Sequence, residues 1–369
     1  MILKDWPPVI CKSEKSFVES KLITDESVIA IHTPPHHADE VFCVACIKFI
    51  NPNVTIIRTR DEDELAKADF RIDVGGNYNP LTGDFDHHQV EFIERHYNIK
   101  EDKYKFGPKM AGFGLIWRHY SVDVITSVLN KLYQETGHEC NLSKDVLDYI
   151  DDNVERNLVM CADAIDNGEN KIYNLDLQPI KIPSIIKFIQ NYNPAIWLEC
   201  KNDKKVDDFF NRAVEIAQNY LEREIIKYYC QVQAVEPVLE KVNTCTDGYL
   251  ILDPYLPWGP VFTRYPEECK NIKMVLYPSY EGGWMFQSPY IKKSVDEYRF
   301  TIYHPVTNER RRQRYETPSY LCGKESEDIE KITGIKDTTF IHASGFVGAC
   351  KTLKSAKALA AFIVEHQEW

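Results

Sequence analysis

Histidine and aspartate side chains that can bind metal ions occur in four short clusters of this sequence. Three clusters lie within residues 32–88, and the fourth lies at 163–166. The candidates are His32, His36, His37 and Asp39 in the first cluster, Asp73 in the second, Asp86, His87 and His88 in the third, and Asp163 and Asp166 in the fourth. Each of them alone is compatible with an ordinary turn or surface residue, but together they indicate a metal site.

A mixed set of imidazoles and carboxylates suits the hydrolysis of a phosphate ester. Two divalent cations about 3.5–4 Å apart share a hydroxide that attacks phosphorus, and they bind the attacking and leaving oxygens. Mixed histidine and aspartate ligands favour Mn²⁺, with Mg²⁺, Co²⁺ and Zn²⁺ as alternatives. The expected cofactor is therefore a pair of divalent cations, manganese first.

The chain around these clusters alternates between strands and helices. Strands are predicted at 27–31, 54–59 and 70–74, with helices at 41–50 and 61–68 between them. This order predicts an α/β fold in which a parallel sheet carries helices on both faces. Ligands of such sheets bind at the carboxyl ends of the strands, which is where the first two clusters lie.

The rest of the chain predicts further helices and a second group of strands. Helices are predicted at 110–120, 122–132, 143–165, 206–242 and 353–366, and strands at 249–252, 273–277, 284–287, 299–303 and 339–342. A connecting region at 179–194 separates the two parts. We expect a metal-binding catalytic domain over 1–185 and a smaller α+β domain over 186–369, which begins with the long helical connection.

Composition limits the classes of function. The formal net charge of −12 argues against a general basic surface for long nucleic-acid duplexes. Eleven cysteines fit reduced thiols better than a disulfide framework, and Cys43 and Cys46 are predicted on the apolar face of a helix.

No apolar run predicts a membrane span, and the first residues do not resemble a secretory signal. The expected location is cytoplasmic or nuclear; a mitochondrial location stays open, without a clear transit peptide.

Several longer stretches carry a family resemblance. They are H-H-A-D-E at 36–40, R-I-D-V-G-G-N-Y-N-P at 71–80, F-D-H-H-Q at 85–89, D-A-I-D-N-G at 163–168, I-L-D-P-Y-L-P-W at 251–258 and F-I-H-A-S-G-F-V-G at 340–348. They resemble the Myg (melanocyte proliferating gene) family, a branch of the DHH phosphoesterase superfamily. The resemblance implies a DHH-type catalytic domain, a smaller C-terminal substrate-binding domain and 3′–5′ exonuclease activity on RNA.

The resemblance also implies a role for each cluster. The metal ligands that it implies are His32, His37, Asp39, Asp73, His87 and Asp163, with Asp73 between the two cations. His88 would contact the phosphate, and Asp86 would orient the two histidines, so both are candidate catalytic residues. Asp166 is the alternative to Asp163, because the register of the fourth motif is loose.

Two segments depart from the family pattern. Pro34-Pro35-His36 replaces the usual Gly-x-Phe of the first motif, so that His36 is either a substrate contact or a solvated residue. At the other end, the loop at 342–348 resembles a substrate loop whose backbone N–H groups approach a phosphate. The substrate-binding candidates there are His342, Ser344, Gly345 and Gly348. Ala349 follows where the family commonly has another glycine.

The predicted function is a two-metal phosphoesterase, a 3′–5′ exonuclease on RNA or short oligonucleotides. Alternatives are a small-molecule pyrophosphatase or phosphodiesterase, and a non-catalytic RNA- or protein-binding module that keeps metals for structure.

Basic residues at 310–314 could bind an RNA backbone, although the flanking glutamates favour a solvated segment. The expected partner is RNA or a short oligonucleotide, and no membrane; the oligomeric state, including a homodimer, is left open.

Overall fold

The structure, a computed structural model, describes residues 19–97, 106–169, 184–195, 203–290 and 313–367. The chain divides into two compact units, Met1–Tyr229 and Cys230–Trp369. The predicted strand at 299–303 and the arginines at 310–312 lie outside the described residues. Within the described part of the chain, every helix is too short or too polar to cross a membrane.

The first unit contains a five-stranded sheet, a separate strand pair and most of the long helices. Its strands are β1 (Val28–Ile31), β2 (Thr55–Arg58), β3 (Phe70–Ile72), β4 (Tyr78–Asn79), β5 (Asp84–Phe85), β6 (Arg95–Tyr97) and β7 (Phe106–Lys109). Its helices are α1 (Ala38–Ile50), α2 (Glu62–Leu65), α3 (Gly112–Thr136), α4 (Lys144–Val154), α5 (Met160–Asp166) and α6 (Ile185–Asn191). Helix α7 (Asp203–Gln233) crosses into the second unit.

The first sheet has the predicted α/β character. Its strand order is β2-β1-β3-β5-β4, and all neighbouring pairs are parallel except β4 with β5. Ala30 packs with Leu65 on one face of the sheet. Ile29 and Ile31 alternate to the opposite face and are fully buried as well. Both faces are therefore covered, as the buried strand sequences predicted.

Helix α1 carries the first cluster at its N-terminus and is anchored by its apolar face. Phe42 stacks on Phe113 of α3, with ring centroids 4.8 Å apart, which contributes about 0.5–1.5 kcal/mol beyond area burial. Cys43 and Cys46 are fully buried in this helix, which confirms their predicted structural role. The packing fixes where the first turn of α1 points.

Two predicted helices differ from the observed ones. The segments at 110–120 and 122–132 form the single helix α3, because neither glycine nor proline separates them, and the helix ends before Gly137 in the left-handed conformation. The single helix predicted at 143–165 is instead interrupted by a π-helical turn at Glu155–Val159. This turn changes the direction of the side chains that follow it.

The second unit is an α+β fold built on a mixed sheet. Its strands are β8 (Tyr249–Ile251), β9 (Met274–Pro278), β10 (Trp284–Gln287), β11 (Thr338–Ile341) and β12 (Val347–Cys350). Its helices are α8 (Val235–Thr244), α9 (Trp258–Arg264), α10 (Ser326–Thr333) and α11 (Leu353–Glu365). The sheet order is β11-β12-β10-β9-β8, and only β8 with β9 is parallel. Apolar residues of α11 pack against this sheet.

The boundary between the units falls later than the predicted 185, because most of α7 belongs to the first unit. The Phe210 ring lies 5.7 Å from the His36 ring. Glu222 accepts a 2.8 Å hydrogen bond from Lys131, which lies on α3. These contacts place the long helix up to Tyr229 in the first unit.

Candidate metal centre

The first two clusters meet at one edge of the first sheet. Strands β1 and β3 are parallel, and Ile31 pairs with Ile72, so the residues that follow them, His32 and Asp73, leave the sheet side by side. His32 Nε2 lies 3.3 Å from Asp73 Oδ2. Asp73 has a left-handed backbone, with φ of 55°, a conformation that aspartate tolerates better than most residues.

The third cluster follows β5, which is parallel to β3, and it reaches the same place. His87 Nε2 lies 3.2 Å from Asp73 Oδ1 and 3.3 Å from Asp166 Oδ2. Asp73 therefore lies between His32 and His87, which is the position that the resemblance implied for a ligand shared by two cations.

Asp86 holds the third cluster in shape. Its carboxylate accepts backbone hydrogen bonds from Gly76 at 2.6 Å, His87 at 2.7 Å and His88 at 3.1 Å. It also lies 2.7 Å from His88 Nδ1. Burial raises the pKa of Asp86, but these hydrogen bonds outweigh burial and lower it. The His88 side chain is 61% exposed, and its bond to Asp86 raises its pKa.

The first turn of α1 contributes two buried acids, Asp39 and Glu40. The Glu40 Oε1 accepts a 2.7 Å hydrogen bond from the backbone N–H of His37 and lies 2.9 Å from His32 Nε2. Both Asp39 oxygens and Glu40 Oε2 are buried without a hydrogen-bond partner among the described residues. Burial, with repulsion from Asp73, holds the pKa of Asp39 well above its usual value.

Three groups of side chains at this edge could each hold a metal ion. They are His32, His37, Glu40 and Asp73; Asp73, His87 and His88; and His37, Asp39 and Asp166. Within each group the donor atoms lie within 4.8 Å of one another. The first group shares Asp73 with the second and His37 with the third, so the three groups adjoin one another.

The donor set passes a chemical test of fit for cations. Buried polar groups without partners cost free energy, and a bound cation would give both Asp39 oxygens and Glu40 Oε2 the partner that they lack among the described residues. Burial also raises the pKa of Asp166, and repulsion from Asp73 adds to this effect. A cation between these acids would relieve the repulsion, so the residues fit the predicted metal pair.

Asp163 differs from its predicted place in this centre. Asp163 Oδ2 lies 2.7 Å from His96 Nε2, and its Oδ1 accepts a 3.2 Å bond from the Gly114 N–H. Asp166, the alternative, is the residue that joins His37 and Asp39. The geometry therefore favours Asp166 over Asp163 as a ligand.

Glu40 was not singled out from the sequence; its place in the first turn of α1, next to Asp39, was the available signal.

His36 is buried, so neither of its predicted alternatives, a substrate contact or a solvated residue, is correct. Its side chain is 1% exposed, and its Nε2 lies 3.2 Å from the Ile189 carbonyl oxygen. Burial lowers the pKa of His36 to about 4. The extra imidazole of the first motif therefore packs between α6 and α7.

The C-terminal loop, residues 342–348, lies in the second unit. His342 and Ser344 are exposed. The His342 Nδ1 accepts a 3.1 Å hydrogen bond from the Ser344 N–H and lies 2.8 Å from Ser344 Oγ. Gly345 is buried with φ of 69°, where a Cβ would approach Cys322 Sγ to 2.9 Å.

Gly348 differs from its predicted place in a substrate loop. It is a buried residue of β12, and a Cβ there would lie 2.3 Å from the Phe286 ring. Its glycine therefore serves packing in the sheet. The substrate contacts predicted for His342 and Ser344 stay predictions.

The basic cluster of the sequence is only partly described. Arg314 Nη1 donates hydrogen bonds to the carbonyl oxygens of Cys269 at 2.8 Å and Lys270 at 2.9 Å. These bonds give Arg314 a structural role within the second unit.

Comparison with known proteins extends over nearly the whole chain. Residues 28–364 match the family MYG1_exonuc, described as "Uncharacterised protein family (UPF0160)". The chain belongs to the MYG1 family. This confirms the resemblance to the Myg family that the sequence motifs carry.

Relatives of this MYG1-family chain occur in distant organisms. The "MYG1 protein" of Dictyostelium discoideum is 28% identical, covering 90% of this chain and 94% of that protein. The "MYG1 exonuclease" of Mus musculus is 25% identical, covering 90% and 83%. A solved "pGpG-specific phosphodiesterase" from Vibrio cholerae aligns with 92% of this chain and 99% of its own, at 10% identity and a TM-score of 0.20. That likeness is too low to carry an argument.

We expect the metal-free protein to lose stability as the pH rises from about 6.5 to about 9. Burial lowers the pKa of His96, but hydrogen bonds to Asp163 and Glu155 outweigh burial and raise it from 6.5 to about 9. Above pH 6.5 the unfolded chain releases a proton from His96 that the folded protein keeps until about pH 9. Rising pH therefore favours the unfolded chain, and the free energy of unfolding falls over this range.

Urea unfolding with a chelator present, at steps of pH between 6 and 10, measures this effect. His96→Gln is the control and should flatten the slope, although His32, whose pKa is also raised, leaves part of it. A free energy of unfolding that rises over this range would contradict the assignment of a charged His96.

Proposed function

We propose that this MYG1-family protein is a phosphodiesterase that uses two divalent cations, manganese first, to remove nucleotides from the 3′ end of RNA or short oligonucleotides. The observation that carries the proposal is the position of Asp73, within 3.3 Å of both His32 and His87. Such a shared carboxylate between imidazoles is what a two-cation hydrolytic site requires. The name "MYG1 exonuclease" of mammalian relatives supports the reaction class.

The three groups supply two sets of ligands. One ion would be held by His32, His37, Glu40 and Asp73. The other would be held by Asp73 and His87 together with Asp166, which lies 3.3 Å from His87 Nε2 and forms a group with His37 and Asp39. When bound, divalent cations make water nucleophilic at neutral pH and neutralise charge on the phosphoryl oxygens. The chain's part is to fix the ligands rigidly, and the packing of α1 and the parallel strands does this.

His88 is placed to bind the phosphate. Its Nδ1 faces Asp86, so Nδ1 carries a proton, and Nε2 donates a hydrogen bond to a phosphoryl oxygen when the ring is protonated. The bond to Asp86 orients the ring and raises the pKa of His88, which favours this protonated form. Asp86 is thus a positioning residue, and His88 is the group that touches substrate.

We expect His88→Ala to lower the rate of hydrolysis about 10²-fold, the usual effect of removing one donor to a developing oxyanion. His138→Ala is the control, since His138 is an exposed histidine of the same unit and its loss should leave the rate unchanged. Mn²⁺ affinity is measured in parallel. A matching fall in Mn²⁺ affinity would show that His88 is a metal ligand instead.

Within the second unit, His342 and Ser344 are exposed and are the proposed donors of hydrogen bonds to a phosphate or ribose. The acidic net charge of the chain, −12, favours short or single-stranded substrates over long duplexes.

The test is hydrolysis by the full chain with Mn²⁺ of single-stranded RNA, a dinucleotide and pyrophosphate. With RNA labelled at its 5′ end, removal from the 3′ end gives a ladder of progressively shorter labelled products. Release of the labelled nucleotide at once would reverse the proposed polarity. Turnover of pyrophosphate alone would favour a small-molecule phosphatase, and Mn²⁺ binding without any turnover would favour a non-catalytic module.

A further inference from the structure

A buried network of polar side chains lies beside the candidate metal centre without contributing a ligand to its three groups. His96, on β6, is fully buried. Its Nε2 lies 2.7 Å from Asp163 Oδ2 and its Nδ1 lies 3.0 Å from Glu155 Oε1. The network thus joins β6 to the π turn and to α5, the helix that ends at Asp166.

The fold leaves space for this network. The Gly114 N–H donates a 3.2 Å hydrogen bond to Asp163 Oδ1. A Cβ at Gly114 would lie 2.0 Å from Asp163 Oδ2 and 2.9 Å from His96 Nε2. Any larger residue there would displace the carboxylate, so the glycine of α3 admits the Asp163–His96 pair.

A second contact anchors the other end of α5. The Asn167 Nδ2 donates hydrogen bonds to the Lys109 carbonyl oxygen at 3.1 Å and to the Asp163 carbonyl oxygen at 2.9 Å. Helix α5 is therefore tied to β6 through Asp163 and to β7 through Asn167. Asp166 lies between these two anchors.

The π turn sets the direction in which α5 presents its acids. A π turn contains one residue more than an α turn, which rotates the following helix by about 100° relative to the preceding one. Glu155, the first residue of the π turn, is bonded to His96. Asp163 and Asp166 are three residues apart, so they lie on neighbouring positions of one helix side. Holding Asp163 against His96 consequently aims Asp166 at His37 and Asp39.

Packing alone is a poor account of the network. Burying charged groups costs free energy even when they are paired, and apolar side chains of similar volume usually serve stability as well or better. What the charged network adds is direction, because hydrogen bonds to a fixed imidazole restrict how α5 can turn.

We propose that His96, Asp163 and Glu155 are positioning residues, which hold α5 so that Asp166 reaches the second cation site. The inference rests on the proposed function, since it needs a metal at that site. It assigns Asp163 to the support of a ligand rather than to the metal.

The test compares Mn²⁺ binding to the full chain and to His96→Gln and Glu155→Gln, by titration calorimetry. Each variant keeps a polar side chain but weakens one end of the network. We expect a loss of about 10–100-fold in the affinity of one of the two ions, the usual cost of losing a supporting partner. Leu129→Ala, in the core of α3, is the control for lost stability, and its Mn²⁺ affinity should stay at the wild-type value.

The outcomes separate this inference from the proposed function. Wild-type Mn²⁺ affinity in both variants, with thermal midpoints lowered as in Leu129→Ala, would overturn the positioning role while leaving the metal site intact. Failure of the wild-type chain to bind Mn²⁺ would instead overturn the proposed function. Should the histidine variant not fold, Glu155→Gln alone decides, because its side chain is only partly buried at the edge of the network.

Discussion

Asp73→Asn is expected to lower the rate of RNA hydrolysis about 1000-fold at saturating Mn²⁺. Its carboxylate contacts both His32 and His87. A neutral amide would not supply the negative charge that two cations would share. Losing several kcal/mol of charge stabilisation, about 4 kcal/mol, corresponds to this factor. Asparagine keeps the left-handed backbone of Asp73, so the change tests the charge rather than the fold.

Asp337→Asn is the matched control for this variant. Asp337 is the other aspartate with a left-handed backbone among the described residues, with φ of 61°, and it lies in the second unit. Its substitution should leave turnover within about two-fold of wild type, as surface substitutions usually do. Hydrolysis by Asp73→Asn within ten-fold of wild type, with normal Mn²⁺ binding, would remove the central ligand from the proposal.

Removal of metal with EDTA is expected to abolish hydrolysis and to lower the thermal midpoint of unfolding. Both Asp39 oxygens and Glu40 Oε2 are buried without a hydrogen-bond partner among the described residues, and bound cations would supply one. Mn²⁺ at about 100 times its dissociation constant should stabilise the fold by about 2.7 kcal/mol. For a unit of this size that corresponds to roughly 5–10 °C.

Thermal unfolding with EDTA, Mn²⁺, Mg²⁺ and Zn²⁺ in turn measures the effect and ranks the metals. Asp73→Asn serves again as the comparison, and its midpoint should respond much less to Mn²⁺. Full turnover in EDTA, with activity unchanged on adding back any of these ions, would exclude metal-dependent hydrolysis.

Much of the first sheet and its ligands was predictable because the signals are local. The strands β1, β2 and β3 coincide with the predicted ones within two residues at each end. Apolar runs separated by helices predict parallel strands, and the ends of parallel strands meet at one edge. That rule predicts that His32 and Asp73 lie close together, and their side chains are 3.3 Å apart.

Elements without strong periodic patterns were not predictable in the same way. Strand β12 reads V-G-A-C and was predicted as a loop, although it is a buried strand of the second sheet. Its glycine is there because the Phe286 ring occupies the space of a side chain. Such a contact comes from another strand and leaves no mark on the local sequence.

The sequence by itself determined the α/β class of the first unit and the edge at which its metal-capable residues gather, since strand order and burial are encoded residue by residue. Only the tertiary structure decided which acid of α5 faces that edge. The π turn at Glu155–Val159 and the Asp163–His96 bond rotate the helix and fix Asp166 toward the centre. The burial of His36 was likewise decided by the tertiary structure, because α6 and α7 pack against its ring. Both outcomes depend on contacts between segments far apart in the chain, whose energies no local pattern contains.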